Sequence, residues 1–129
     1  MKSSRGFTVI EIIIVAALFL TASAVFFIQK NNVEIAARDS FRKTAINAIY
    51  YSLEEVYFAE NKSYPRSVSA EVLPSVDPDL FTDPNGVKIG ESNSDFRYEP
   101  LNCTDSACKG YSLRASLEGE ADFIKQNRQ

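Results

Sequence analysis

The stretch RGFTVIEIIIVAALFLTASAVFFIQK, residues 5–30, decides how the rest of the chain is read. Residues 7–28 carry a single charge, on Glu11. As helix these residues span about 33 Å, enough to cross a hydrocarbon core of roughly 30 Å. A transmembrane helix is therefore the first expectation. Lys2 and Arg5 precede the run, which places the N-terminal tail in the cytoplasm and everything beyond Lys30 outside it. A secretory signal peptide is the competing reading, because Ala22-Ser23-Ala24 has the small-residue pattern of a cleavage site. Two features oppose it. The apolar run continues past that site through Val25, Phe26, Phe27 and Ile28, and Glu11 would lie inside the apolar part of the signal.

Neither reading explains Glu11. A carboxylate within a membrane helix is costly unless something pairs with it. If the chain is cut between Gly6 and Phe7, the new amino group of Phe7 is a cation one helical turn before Glu11, able to meet Glu11 of its own chain or of a neighbour. Such a pair, buried among packed helices, would fix the axial register of one subunit against the next.

Gly6-Phe7-Thr8-Val9-Ile10-Glu11, preceded by a basic tail and followed by an unbroken apolar run, resembles the processing signal of type IV prepilins and pseudopilins. The resemblance implies cleavage after Gly6 by a membrane prepilin peptidase, N-methylation of Phe7 by the same enzyme, and an assembly role for Glu11. It extends to LEEVYFAENKSYP, residues 53–65, which is similar to the end of the long helix in pilins, where a Tyr-Pro pair opens the connecting loop. One departure is visible. Where pilins often carry a helix-loosening Gly and a Pro within the membrane segment, this chain has Leu20 and Ile28, so local melting of that segment in a filament is not implied.

The remainder is acidic. From Lys30 onward there are 12 basic and 16 acidic side chains, a net charge of −4. This opposes a dedicated nucleic-acid surface, which needs clustered Lys and Arg. The chain has no His and no Trp, and no nucleophile, base and orienter fall into a recognisable pattern, so an enzyme is not expected. Past residue 28 a second, amphipathic helix segment continues to about residue 60: Ala37, Phe41, Ala45, Ile49, Leu53 and Val56 recur every three or four residues. Glu34 with Arg38 and Asp39 with Lys43 read as acid-to-base pairs at i,i+4 on its solvated face. Arg38, Arg42 and Lys43 read as part of that face rather than as a partner-binding patch. If unbroken, the helix from residue 7 to 59 is about 80 Å long, so its N-terminal half is expected to protrude from a domain this small.

Tyr64-Pro65 ends the helix, and residues 61–94 read as a loop with one helical turn near residues 70–73. Within it, Asp77, Asp79, Asp83 and Asn85 supply oxygen ligands of the kind calcium takes, and some secretion pseudopilins bind that ion. The spacing lacks the EF-hand pattern and a distal Glu, so a solvated Asp/Pro turn region is the preferred reading. Strand alternation appears in Phe96–Glu99 and again from Tyr111 to Leu117, on either side of CTDSAC. The two runs are expected to pair as a hairpin with Cys103 and Cys108 bridged at its tip, free thiols being the alternative. Residues 87–89 and 122–125 are weaker edge-strand candidates. Tyr111, Leu113 and Leu117 are expected to pack on Ile49, Leu53 and Val56, with the tyrosines as core and rim.

The expected fold is α+β: a leader of residues 1–6, a membrane and assembly helix over 7–28, and an extracytoplasmic pilin-like domain over 29–129 with its sheet at about 87–125. The expected role is that of a structural subunit of a type IV pilus or pilus-like filament. Its partners would be copies of itself or other pilins, the prepilin peptidase and N-methyltransferase, the membrane assembly machinery, and lipid before assembly. It would be a single-pass membrane protein first and part of an extracellular pilus or periplasmic pseudopilus afterwards. A type II secretion pseudopilin and a single-pass membrane adhesin that does not polymerise are the alternatives.

Overall fold

No Gly or Pro occurs between Gly6 and Pro65, and nothing in that interval stops a helix from propagating. The computed structural model, which describes residues 6–128, accordingly begins with one long helix. It comprises α1 (Val9–Tyr51), a π-helical turn (Ser52–Tyr57) and the short α2 (Phe58–Asn61). Lys62, at φ 55°, closes it in the left-handed conformation, with its N–H on the Phe58 carbonyl. The helix packs against a three-stranded antiparallel sheet of β1 (Phe96–Thr104), β2 (Ala107–Ala115) and β3 (Phe123–Gln126), in the order β1-β2-β3. The fold is α+β. Residues up to Glu34 and residues from Ile35 onward form two separate units.

In the second unit the inner face of α1 is Asp39, Arg42, Ala45, Ile46, Ile49 and Tyr50, followed by Leu53 in the π turn. These bury Phe96, Tyr111, Leu113 and Ala115 of the sheet together with Leu73, Val76 and Phe81 of the intervening loop. The inner stripe thus differs from the expected one at its ends. Ala37 and Phe41 lie outward, and their place is taken by the charged Asp39 and Arg42. Val56 is 42% exposed, because the π turn carries an extra residue and buries Ser52, Leu53 and Glu54 in succession. Leu117 is partly buried rather than central.

Cys103 and Cys108 are directly opposed in the β1–β2 hairpin and are bridged. Tyr64 then ties the exit of the helix to this hairpin: its N–H donates to the Cys108 carbonyl and the Cys108 N–H donates to its own, both at 2.9 Å. Of the two edge candidates, residues 122–125 correspond to β3. Residues 87–89 form no strand, only a bridge between Thr82 and Lys88. Gly86 and Gly90, both at positive φ, curl that segment back on itself, so the sheet begins at Phe96 rather than near residue 87. The turn expected at 70–73 is present, closed by the Val72 and Leu73 N–H groups on Ser69. A 3-10 turn at Pro78–Phe81 was not expected, although Asp77 as cap and Pro78 as first residue are its ordinary signals.

Candidate functional site

Residues 6–8 precede the helix, and Lys2 and Arg5 lie outside the described residues. The helix starts on a reciprocal cap. The Thr8 N–H and hydroxyl donate to Glu11 Oε2 at 2.8 and 2.9 Å, and the Glu11 N–H donates back to Thr8 Oγ1 at 3.3 Å. This is the capping box written in sequence as Thr8-Val9-Ile10-Glu11, a second role for Glu11 beside charge pairing. It gives Glu11 a partner within its own chain. With the Gly6–Phe7 bond intact the Phe7 nitrogen is an amide, and Glu11 turns to Thr8. Both Thr8 donors go to one carboxylate oxygen. The other, Oε1, carries no hydrogen bond among the described residues.

Beyond the cap, the large apolar side chains from Val9 to Ile28 are uncovered: Val9 is 74% exposed and Phe19 75%. The helix is long and apolar enough to cross a membrane, with a mean hydropathy of 2.6 in its most apolar window. The hydroxyls in the run satisfy themselves. Thr21 donates to the Leu18 carbonyl and Ser23 to that of Phe19, at 2.9 and 2.7 Å, so neither hydroxyl depends on water for a partner. Ala16 and Ala22 open shallow notches between their bulky neighbours, one framed by Ile12 and Phe19 and one by Leu18 and Phe26.

Known protein families, curated proteins and solved structures offer no match to this chain. Its function is argued from its own residues.

In the second unit, the aspartates considered for calcium hold turns. Asp77 accepts from the Asp79 N–H at 3.0 Å. Asp83, buried, accepts from the N–H groups of Asn85, Val87 and Asp95 at 2.8 to 2.9 Å. Asp79 is exposed. The three carboxylates are not brought together, and no cluster of three or more His, Cys, Asp or Glu is arranged for a metal among the described residues.

Arg38, Arg42 and Lys43 of α1 form neither a solvated face nor an open patch. Arg42 is 2% exposed and binds three carboxylates: Asp39 at 2.9 Å, Asp95 at 2.8 Å and Glu118 at 2.8 Å. Arg38 forks onto Glu118, and Lys43 reaches Glu120 at 2.6 Å. Asp39 also accepts the Glu118 and Gly119 N–H groups. In place of the expected i,i+4 pairing, Arg38 and Lys43 meet these long-range carboxylates, and Glu34 pairs with Lys30. Burial alone would raise the Asp39 carboxyl, but the Glu118 and Gly119 N–H groups and the Arg42 guanidinium outweigh it and hold it below the ordinary range. Hydrogen bonds from Arg38 and then Arg42 lower Glu118 to about 2.

A second polar cluster sits under the π turn. Glu54 accepts the Tyr111 hydroxyl at 2.8 Å, the Tyr64 hydroxyl at 3.2 Å and the Arg128 N–H at 3.3 Å. Burial, then the hydrogen bond to Glu54, push the Tyr111 phenol up. The cluster fastens the C-terminal segment to the helix, and Arg128 adds its side chain to Glu55 and Tyr50. Nothing in the periodicity of SLEEVY signals this. Glu54 turns inward only because the helix widens there.

Proposed function

We propose that the chain is a structural subunit of a type IV pilus or pilus-like filament. Residues 7–28 hold it in a membrane with its N-terminus cytoplasmic. A prepilin peptidase cuts after Gly6 and methylates Phe7, and the freed helix then packs with copies of itself or other pilins under the membrane assembly machinery. The observation that carries the reading is the pairing of a fully uncovered apolar helix with one carboxylate held at its first turn. Side chains exposed in this way need lipid or other helices around them. Thr8 engages Glu11 through one oxygen and leaves the other to receive an ammonium. The cytoplasmic end, the acidic outer unit and the bridged cysteines fit a path from membrane to extracellular pilus or periplasmic pseudopilus.

The test is the N-terminus of the chain isolated from cells with a working pilus system. Mass spectrometry should find N-methylated Phe7, and Gly6→Val should leave the chain uncut in the membrane. A terminus at Met1 would favour a single-pass adhesin that does not polymerise, and one at Val25 a signal peptide. Imaging of filaments then separates a pilus from a secretion pseudopilus.

A further inference from the structure

Among the described residues, three that are not glycine adopt positive φ: Lys62 at 55°, Asn102 at 52° and Asp105 at 55°. They gather in one place. Lys62 and Asn102 line a groove of about 310 Å³ with Phe58, Ser63, Thr104 and Lys109. Asp105 stands in the two-residue turn between the lining residues Thr104 and Ala107. Asn and Asp tolerate this conformation, whereas a lysine at the helix-closing position stands where glycine is favoured.

The walls of the groove are tied together, and of its polar side chains the Ser63 hydroxyl donates to the Asn61 carbonyl at 3.4 Å. One wall is the end of α2 and the other the bridged hairpin, and the two-way Tyr64–Cys108 hydrogen bonds join them. Lys62 and Lys109 form no ion pair, and the Asn102 and Thr104 side chains form no hydrogen bond, among the described residues. Most other cations of this unit are engaged: Arg38, Arg42, Lys43, Arg114 and Arg128 all meet carboxylates. The Phe58 ring, half-buried and stacked on Tyr64 at 5.0 Å between centroids, supplies an apolar surface in the groove.

We infer that this groove binds an acidic carbohydrate, a chain in which a carboxylated sugar alternates with neutral ones. Two ammonium groups take the carboxylate, the Asn102 amide with the Ser63 and Thr104 hydroxyls takes ring hydroxyls, and Phe58 takes the apolar face of a pyranose. Nucleic acid is the poorer fit. It brings a charge at every nucleotide toward a protein of net charge −3, with only two lysines to receive it. The inference concerns the second unit alone and does not depend on polymerisation.

The probe is a hyaluronan octasaccharide, titrated by calorimetry against the full chain in detergent micelles at low salt. Neutral chito-oligosaccharide and a ten-nucleotide dT strand serve as comparisons. Binding of the octasaccharide is expected, with little or none of the neutral chain, and Lys62→Gln and Lys109→Gln should each weaken it by about tenfold, the scale of one lost charge-assisted contact. Lys62→Gly separates recognition from structure: it relieves the left-handed backbone, so thermal stability should rise while binding falls as in Lys62→Gln. No binding of the octasaccharide by the folded protein, affinity unmoved in these variants, or tighter binding of the dT strand would each overturn the assignment.

Discussion

The units before and after Ile35 treat charge and apolar surface in opposite ways. In the first, the large apolar side chains are outside and the carboxylate of the apolar run, Glu11, is met by a neighbouring threonine. In the second, apolar side chains are inside, and so are Arg42, Asp39 and Glu54, which meet partners from distant parts of the chain, and Asp83, which holds N–H groups of its own loop and its exit. The second unit is complete within one chain. The first leaves its apolar surface uncovered by the rest of the chain. Changes in the first should therefore alter what the protein joins, and changes in the second how firmly it folds.

The largest effect expected is on assembly. Glu11→Gln keeps the shape of the side chain and discards its charge, so filament yield as sole subunit should collapse while the thermal stability of the second unit stays unchanged. The measurement is the partition between membrane and sheared filament fractions, with the processed form scored in each. Normal yield would remove the charge pair from the mechanism, and uncut protein in both fractions would reassign Glu11 to recognition by the peptidase.

Arg42→Ala should do the reverse. Removing the guanidinium strands Asp39 without its cation, an effect of about 3 to 5 kcal/mol for a buried pair, visible in chemical denaturation. Insertion and processing should be untouched. Cys103→Ser comes next: opening the six-residue loop should lower stability by about 2 kcal/mol. Before that change, alkylation without reduction should label neither cysteine. Thr8→Ala should cost about 1 kcal/mol of helix-start stability as a lost cap, read as faster amide exchange at Glu11 and Ile12 with the sheet unaffected.

The smallest effect is acid sensitivity. Asp39 and Glu118 have folded values below their ordinary ones, so the stability they contribute is present above the ordinary carboxylate range and lost on acidification. For Glu118 the window runs from about 4.5 down to about 2. Its side chain is one-third exposed and partly screened, so denaturation midpoints should fall only modestly across that window. Arg42→Ala should flatten the dependence, and an unchanged pH profile in that variant would detach these carboxylates from the network.

Where one interaction type dominates, the fold was readable from sequence. The apolar run, the absence of Gly and Pro to residue 65 and the alternation around CTDSAC gave the helix, its end and the hairpin, because each rests on local periodicity. Ile49 and Leu53 were placed correctly for the same reason. The inward face of Asp39 and Arg42 was not, since it depends on Asp95 and Glu118, more than fifty residues away, arriving beside them. The same holds for Glu54, which needs both the widened helix turn and Tyr111 from β2. At the candidate assembly segment, Gly6, Phe7 and Glu11 stood out by spacing, yet Thr8 was equally visible as the first member of a Thr-x-x-Glu box and went unread.

That box has a consequence at the residues just before it. A cap is a boundary: with the Thr8 side chain committed to the first turn, the helix starts at Val9 and does not run back through Phe7 to Gly6. The 6–7 peptide bond therefore stays unwound at the threshold of a very long helix. Proteolytic clefts bind extended backbone, and a helical bond must first be melted before it can enter one. If the chain is processed there as proposed, that melting is done in advance, by the residue next to the bond.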